Sequence, residues 1–302
     1  MSGKKSGESN SIAYSVVSEQ GLRKYMEDEY SCDLLVATFP TDNVKLSYFA
    51  VYDGHGGAYA SKFLKTNLFR NVVYQKKLGE SISFTNNYIT NGFHETDETL
   101  FKENKKYDEE NYGDNDYINR DSGSTCVSTF IMEDKIWFTL ICCNVGDSRC
   151  VLYDSDGIPT PLSNDHKPNN FKEIYRIKDA GYFVENGRVN GNLAVSRAFG
   201  DFEYKMDPKT SKLISDPSDR AVSCTPDIKR VQFKKKDKKY KFMVLASDGI
   251  WDVFTNDEVG EFVEIGLDHE EFLEKIADSL VKVAITKYGS SDNCTVIIVL
   301  FK

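Results

Sequence analysis

Aspartates stand at the ends of the apolar, strand-like segments of this chain, each beside or close to a glycine. Asp53 follows FAVY, Asp147 follows CNVG, Asp248 follows VLAS, and Asp292 comes shortly before the closing segment TVIIVLF. A single Asp-Gly pair is ordinary turn chemistry, but strand ends are rigid supports on which a site can be built. Four such endings therefore predict a fold that gathers carboxylates at strand ends.

Aspartates that converge in space repel one another unless cations neutralise them. Carboxylate, carbonyl and water ligands suit Mg²⁺ or Mn²⁺. The four histidines and seven cysteines, with no CxxC pair, leave little for zinc. A cluster of hard oxygen ligands favours a metal-assisted reaction on phosphate, in which two ions activate water and hold the phosphoryl oxygens.

The segments between these acids predict an α+β chain. The β-rich runs TCVSTFIM and IWFTLICCNV flank a three-residue turn and predict a hairpin. Apolar residues at helical spacing predict helices over 58–70 and 84–103, and further helices follow later in the chain. Strands come in hairpin-linked succession first and helices are grouped later, which favours α+β over an alternating βαβ arrangement.

Composition excludes several classes of protein. The 302 residues carry 38 basic and 47 acidic side chains, so the net charge is 38 − 47 = −9, which argues against a general nucleic-acid binder. No apolar run approaches the length of a membrane span, and the first residues lack the apolar core of a signal peptide. With seven irregularly spaced cysteines, we expect reduced thiols and a cytoplasmic location that extends to the nucleus.

The length fits one large domain, and we expect a flexible N-terminus over 1–10 and a single catalytic domain over 11–302. Residues 103–121 have almost no apolar periodicity and predict an acidic loop. A calcium-binding EF-hand beginning at Asp108 would fit Gly113 but not Tyr112 or Asn119. The lysine-rich stretch 234–241 predicts a solvated hairpin tip between two strands.

Seven short motifs run through the chain in a defined order. They are RKYMED (23–28), DGHGG (53–57), GDSR (146–149), DHKP (165–168), VNGNLAVSR (189–197), DGIWD (248–252) and SDN (291–293). This series resembles the protein phosphatase 2C family, the metal-dependent serine/threonine phosphatases. The resemblance extends over nearly the whole chain, and the number and order of the motifs make it specific.

The resemblance implies a fold that periodicity alone does not give. Two antiparallel β-sheets would pack as a sandwich flanked by helix pairs, in α-β-β-α layers. Residues 182–224 correspond to a variable flap beside the active site. The implied partners are phosphorylated protein substrates, and we expect a monomer.

The resemblance also implies a centre of two Mg²⁺ or Mn²⁺ ions, with a weaker third one. Two divalent ions would be neutralised by three aspartates and one bridging hydroxide, so that a phosphate dianion meets no uncompensated anion. The implied positions are Asp53 bridging the two ions, the Gly54 carbonyl, Asp248 and Asp292 as ligands, Glu27 and Asp28 holding metal-bound waters, and Asp147 and Asp252 around the third ion.

Two further residues are expected to act on the substrate. Arg23 would grip the phosphate, to which a guanidinium fork is well matched. His55, with an ordinary pKa of about 6.5, suits proton donation to the departing serine or threonine oxygen; the alternative is a histidine that merely closes a tight turn. The expected reaction is direct attack of the metal-bridging hydroxide on phosphorus, without a phospho-enzyme.

Other functions fit only parts of the sequence. A catalytically inactive relative could bind phosphoproteins as a scaffold, although such relatives usually lose ligand carboxylates and Asp53, Asp248 and Asp292 are all present. A metal-dependent nuclease or small-molecule phosphatase fits the acids but not the motif series. Residues 143–149 match the CxxxxxR spacing of cysteine-dependent phosphatases, but Asp147 would place a carboxylate in the loop that cradles phosphate.

Overall fold

The computed structural model of the chain describes residues 2–39, 44–73, 84–110 and 122–302. Within these ranges the strands, in chain order, are β1 (Ser2–Glu8), β2 (Ile12–Glu19), β3 (Glu29–Phe39), β4 (Val44–Tyr52), β5 (Gly54–His55), β6 (Gly123–Ser124), β7 (Cys126–Glu133), β8 (Trp137–Val145), β9 (Arg149–Asp154), β10 (Pro159–Pro161), β11 (Val184–Glu185), β12 (Arg188–Val189), β13 (Phe199–Gly200), β14 (Asp227–Lys234), β15 (Tyr240–Ala246) and β16 (Cys294–Phe301). The helices are α1 (Tyr59–Val73), α2 (Asn86–Glu110), α3 (Phe171–Asp179), α4 (Asp248–Trp251), α5 (Asn256–Asp268) and α6 (Leu273–Thr286).

Two large antiparallel sheets form the centre of the molecule. One has the strand order β1-β2-β16-β15-β9-β10 and the other the order β14-β8-β7-β4-β3. A small sheet, β13-β6-β5, and a short hairpin, β11-β12, complete the strands of the described residues. Several neighbours in these sheets are far apart in the chain, so the sheets are not simple meanders.

The long apolar runs are explained by strands buried on both faces. In β16, Ile297 and Val299 face the core between the two sheets, whereas Val296 and Ile298 face a second core beneath helices. Successive side chains of a strand point to opposite faces, so a strand covered on both sides reads as a continuous apolar run. The segment TVIIVLF is such a run.

Helices cover the outer face of each sheet. α1 and α2 pack on the five-stranded sheet through residues such as Leu64, Leu68 and Phe93. α4, α5 and α6 pack on the six-stranded sheet, where α5 begins with a capping box in which Thr255 and Glu258 exchange side-chain-to-backbone hydrogen bonds. The predicted α+β sandwich of α-β-β-α layers is therefore confirmed.

The N-terminal residues differ from the prediction. We expected residues 1–10 to be flexible, but Ser2–Glu8 forms β1 and pairs with β2 from Ser2 opposite Glu19 to Glu8 opposite Ala13. Lys5 also donates to the Cys32 carbonyl at 2.7 Å. Backbone hydrogen bonds hold an edge strand without apolar side chains, and lysines are typical of such edges, so polarity alone did not indicate fraying.

The predicted acidic loop is partly wrong. α2 continues to Glu110, so residues 103–110 are helical, while 111–121 lie outside the described residues, as do Gly113 and Asn119 of the rejected calcium motif. Glutamate and lysine favour the helical backbone. A helix anchored by buried Ile89, Phe93 and Leu100 can therefore continue without an apolar stripe.

The lysine-rich stretch 234–241 is not a hairpin tip. The strands on either side of it, β14 and β15, lie in different sheets, where β14 pairs with β8 and β15 with β16 and β9. The stretch therefore carries the chain from one layer of the sandwich to the other. Alternation within two short strands does not tell whether those strands pair with each other.

Candidate metal centre and active site

One edge of the sandwich receives acids from both sheets. β4 and β8 both pair antiparallel with β7, so they end at the same edge, and Asp53 and Asp147 follow them there. In the other sheet β15 ends and β16 begins at one edge, because Ala246 lies opposite Val296. Asp248 follows β15 and Asp292 precedes β16.

Three of the predicted ligands meet at this edge. Asp53, Asp147 and Asp248 each offer a carboxylate oxygen, and these oxygens all lie within 4.8 Å of one another. Asp147 is buried and the other two are half-buried. Gly146, with φ of 104°, turns the chain after β8, where an added Cβ would lie 2.6 Å from the Thr125 side chain. The turn thus presents Asp147 to the cluster.

The cluster raises the pKa of its members because burial and mutual repulsion both disfavour the charged forms. Burial, followed by repulsion from Asp147 and Asp292, raises the pKa of Asp248 to about 7. The pKa of Asp53 lies well above its ordinary value for the same reasons, with Asp248 the strongest neighbour. Cations would relieve this repulsion.

Asp28 lies close to Asp53 of the cluster. Its carboxylate is buried, one oxygen accepts a hydrogen bond from the Ser247 hydroxyl at 2.9 Å, and Oδ1 has no hydrogen-bond donor among the described residues. Burial raises the pKa of Asp28 to about 6. A buried carboxylate oxygen without a donor suits a cation or its water.

The segment that carries Glu27 is clamped to β16 by Asn293. The Asn293 side chain accepts from the Glu27 amide at 2.7 Å and donates to the Gln20 and Tyr25 carbonyls at 2.8 and 3.0 Å. Gly54 packs directly against this segment, since an added Cβ would lie 2.4 Å from the Glu27 carbonyl oxygen.

Asp292 is not a member of the three-carboxylate group. Its Oδ2 accepts from Arg23 Nη2 at 2.5 Å, and the Arg23 side chain is 55% exposed. Asp252 lies at the C-terminal end of α4, where its amide donates to the Asp248 carbonyl at 2.8 Å. Burial raises the pKa of Asp252, which the nearby Lys167 opposes. Asp147, rather than Asp292, therefore lies with Asp53 and Asp248 in the three-carboxylate group.

Lys167 was missed by the sequence analysis, although it lies in the DHKP motif. Its ammonium donates to Asp147 Oδ2. Burial lowers the pKa of Lys167, but Asp147, Asp252 and Asp248 together hold it above its ordinary value. A lysine therefore supplies one positive charge to the acidic edge.

His55 is paired with a carboxylate that the sequence analysis also missed. His55 Nε2 lies 2.7 Å from Asp201 Oδ2. Burial lowers the pKa of His55, but the Asp201 carboxylate, together with Asp147 and Glu27, raises it above its ordinary value. Asp201 comes directly after Gly200, as Asp147 comes after Gly146. This repeated Gly-Asp pattern in the sequence could have identified Asp201.

Other motif residues have structural roles. Arg149 forms a two-pronged ion pair with Asp165, at 3.0 and 2.7 Å, and its guanidinium lies over the Trp251 ring. Cys143 is buried, and burial raises the pKa of its thiol well above the ordinary value. A thiolate nucleophile at Cys143 is therefore not supported.

Comparison with known proteins agrees with this geometry. The profile described as Protein phosphatase 2C matches residues 12–294. The chain belongs to the protein phosphatase 2C family. Among curated relatives, it is 38% identical to "Protein phosphatase 2C homolog 3" of Schizosaccharomyces pombe over 97% of its own length and 65% of that protein.

Further members of the protein phosphatase 2C family give similar figures. "Protein phosphatase 2C homolog 2" of Hypocrea jecorina is 35% identical over 98% of the chain and 64% of its own length. Human "Protein phosphatase 1A" is 35% identical over 98% of the chain and 72% of its own length. The chain thus spans about two thirds of the length of the curated relatives that it matches.

Solved structures show the same fold. A phosphatase of Toxoplasma gondii superposes with a TM-score of 0.74 over 96% of this chain and 93% of that one, at 24% identity. Within the described residues of this protein phosphatase 2C member, no helix is long and apolar enough to cross a membrane.

Proposed function

We propose that this chain is a metal-dependent phosphatase that hydrolyses phosphoserine and phosphothreonine in proteins. The observation that carries the proposal is the group formed by Asp53, Asp147 and Asp248, whose carboxylate oxygens lie within 4.8 Å of one another. Three acids from two sheets meet at one edge, and the raised pKa values of Asp53 and Asp248 support a site that binds cations.

The residues fit Mg²⁺ or Mn²⁺. All donors are hard oxygens, and Asp28 Oδ1 is buried without a hydrogen-bond donor among the described residues. When bound, the ions would neutralise the carboxylates, polarise the phosphoryl group and supply hydroxide as the nucleophile. The residues proposed to hold two ions are Asp53, Asp248, Asp292 and the Gly54 carbonyl, with Glu27 and Asp28 acting through waters and Asp147 and Asp252 serving a third ion.

Arg23 and His55 are proposed to act on the substrate itself. Arg23 is exposed at the edge of the acidic group and can turn its guanidinium from Asp292 to an incoming phosphate. His55 donates a proton to the serine or threonine oxygen as the bond from that oxygen to phosphorus breaks. Its raised pKa favours the protonated ring, the form that a general acid needs.

The proposal is tested by phosphate release from a phosphothreonine peptide with Mn²⁺, with EDTA, and by the Asp248→Asn variant. We expect EDTA to abolish turnover and Asp248→Asn to lower kcat/KM by at least about a hundredfold, since the variant loses one ligand carboxylate. Asp207→Asn is the matched control, because Asp207 is a half-buried aspartate that accepts the Lys209 and Thr210 amides in a turn of 182–224.

Release that survives EDTA, or full activity in Asp248→Asn, would contradict the metal-dependent reaction. Peptide binding without any release in the wild-type protein would favour the inactive scaffold instead. In H₂¹⁸O, a single turnover should place one solvent oxygen in the released phosphate. A phosphorylated residue trapped on the protein would rule out direct attack.

A further inference from the structure

The small sheet β13-β6-β5 brings two distant parts of the chain together beside the acidic edge. β6 lies in the middle, with His55 opposite Gly123 on one side and Gly200 opposite Gly123 on the other. Asp201 follows Gly200 directly. The side chains of His55 and Asp201 therefore approach each other across the middle strand, at 2.7 Å between Nε2 and Oδ2.

Gly123 leaves the space in which this contact forms. An added Cβ at Gly123 would lie 2.2 Å from both His55 Nε2 and Asp201 Oδ2, which is closer than atoms can approach. A side chain on the middle strand is thus incompatible with the His55–Asp201 contact. The contact depends on glycine at this one position.

Asp201 is held in an uncommon backbone conformation. Its φ of 48° lies in the left-handed region, which aspartate and asparagine tolerate better than most residues. Its side chain is 7% exposed, whereas the His55 side chain is 29% exposed. The preceding residue is also anchored, since the Gly200 amide donates to buried Asp97 at 3.0 Å. The carboxylate is fixed and buried, and the imidazole it holds is partly exposed to solvent.

We propose that Asp201 is a positioning residue for His55 in the phosphatase reaction. Both nitrogens of the protonated ring carry a hydrogen. The hydrogen bond from Nε2 to Asp201 fixes the orientation of the ring and leaves Nδ1 to donate its proton to the departing substrate oxygen. This inference rests on the proposed function of His55. It adds a buried partner from the 182–224 segment, 146 residues further along the chain.

A purely structural role for the pair makes a different prediction. If Asp201 only joined 182–224 to the small sheet, its loss would lower stability, or activity on all substrates alike. If it orients His55, the loss falls on substrates whose leaving group needs a proton. A phosphothreonine peptide has a poor leaving group, whereas p-nitrophenyl phosphate releases a stable anion without assistance.

The test compares Asp201→Asn, His55→Gln and the double variant on these two substrates with Mn²⁺. Asparagine accepts the left-handed conformation, so Asp201→Asn should fold. We expect both single variants to lower kcat on the phosphothreonine peptide by at least about tenfold, with less than about a threefold change on p-nitrophenyl phosphate. The double variant should be no worse than His55→Gln alone, and the control Asp207→Asn should match wild type on both substrates.

The two proposals can fail separately. A selective loss in His55→Gln but none in Asp201→Asn overturns the positioning role and leaves the general acid in place. Equal losses on both substrates in His55→Gln overturn the general acid itself. Gly123→Ala supplies a second route, because it keeps Asp201 but pushes the pair apart, and it should reproduce the selective loss.

A spectroscopic measurement checks the pair without turnover. In the Mg²⁺-loaded wild-type protein, ¹H–¹⁵N spectra of the imidazole rings should show a hydrogen on His55 Nε2. The chain has only four histidines, and the His55 signals are identified by their loss in His55→Gln. A ring with no hydrogen on Nε2 would overturn the proposal.

Discussion

Without bound cations, the carboxylates at the acidic edge destabilise the folded protein. Burial and mutual repulsion raise the pKa of Asp248 to about 7 and that of Asp28 to about 6, against an ordinary aspartate value of about 3.9. At pH values between the ordinary pKa and the raised ones, the folded protein binds more protons than the unfolded chain. The free energy of unfolding of the metal-free protein is therefore expected to fall as the pH rises through this window.

Replacing one of these acids should remove part of that pH dependence. With EDTA present, we expect wild-type protein to be less stable at about pH 8 than at about pH 6, and Asp248→Asn to show a smaller difference because it loses one titrating carboxylate. Urea unfolding at the two pH values measures this. A steeper decline in Asp248→Asn than in wild type would contradict the assignment of Asp248 to the repelling group.

At the scale of elements, the site depends on how loops are tied to strands. The segment between β2 and β3 carries Arg23, Glu27 and Asp28, and the buried side chain of Asn293 ties it to the start of β16 through three hydrogen bonds. This asparagine is not among the residues proposed to contact the substrate or the metal ions. It sets the position of the backbone from which those three residues project.

Asn293→Ala should therefore lower both stability and metal affinity. Loss of three partly buried hydrogen bonds to backbone groups is expected to cost about 2–4 kcal/mol, measured by urea unfolding with EDTA present. Metal affinity, measured by calorimetry, should weaken because Glu27 and Asp28 are no longer held. The exposed residue Asn169 offers a control, and Asn169→Ala should leave both quantities within error of wild type. Unchanged affinity in Asn293→Ala would separate the clamp from the metal centre.

The elements differ in how far the sequence predicted them. Strand β16 and the hairpin β7-β8 were predictable because their apolar runs and turn are local signals. β1 was not, because its pairing with β2 depends on backbone hydrogen bonds that polar residues make equally well. The lysine-rich stretch 234–241 joins two sheets rather than two paired strands, a property of the whole topology.

The functional residues also differ in how far the sequence could predict them. The motif series identified Asp53, Asp147 and Asp248 before their convergence was seen, since each stands at a strand end. Asp201 and Lys167 were missed because their roles depend on partners 146 and 20 residues away. The ion pair between Arg23 and Asp292 likewise follows from tertiary geometry rather than from any spacing within one motif.

Across the whole molecule, the acids are contributed by both sheets and meet at one edge of the sandwich. We expect Mg²⁺ to raise the thermal midpoint of the protein. The rise should be larger at about pH 8 than at about pH 6, because protons compete with cations for Asp248 and Asp28 at the lower pH. Thermal scans with Mg²⁺ or EDTA at both pH values test this. An equal shift at both pH values would argue against binding at these carboxylates.

The contribution of both sheets to one acidic edge also bears on the rate at which the protein unfolds. β4 and β8 belong to one sheet and β15 and β16 to the other, so the ligand set is complete only after the two sheets have docked. We expect this ligand set to be largely absent from the transition state for folding. Bound cations would then lengthen the lifetime of the native state while leaving the refolding rate almost unchanged.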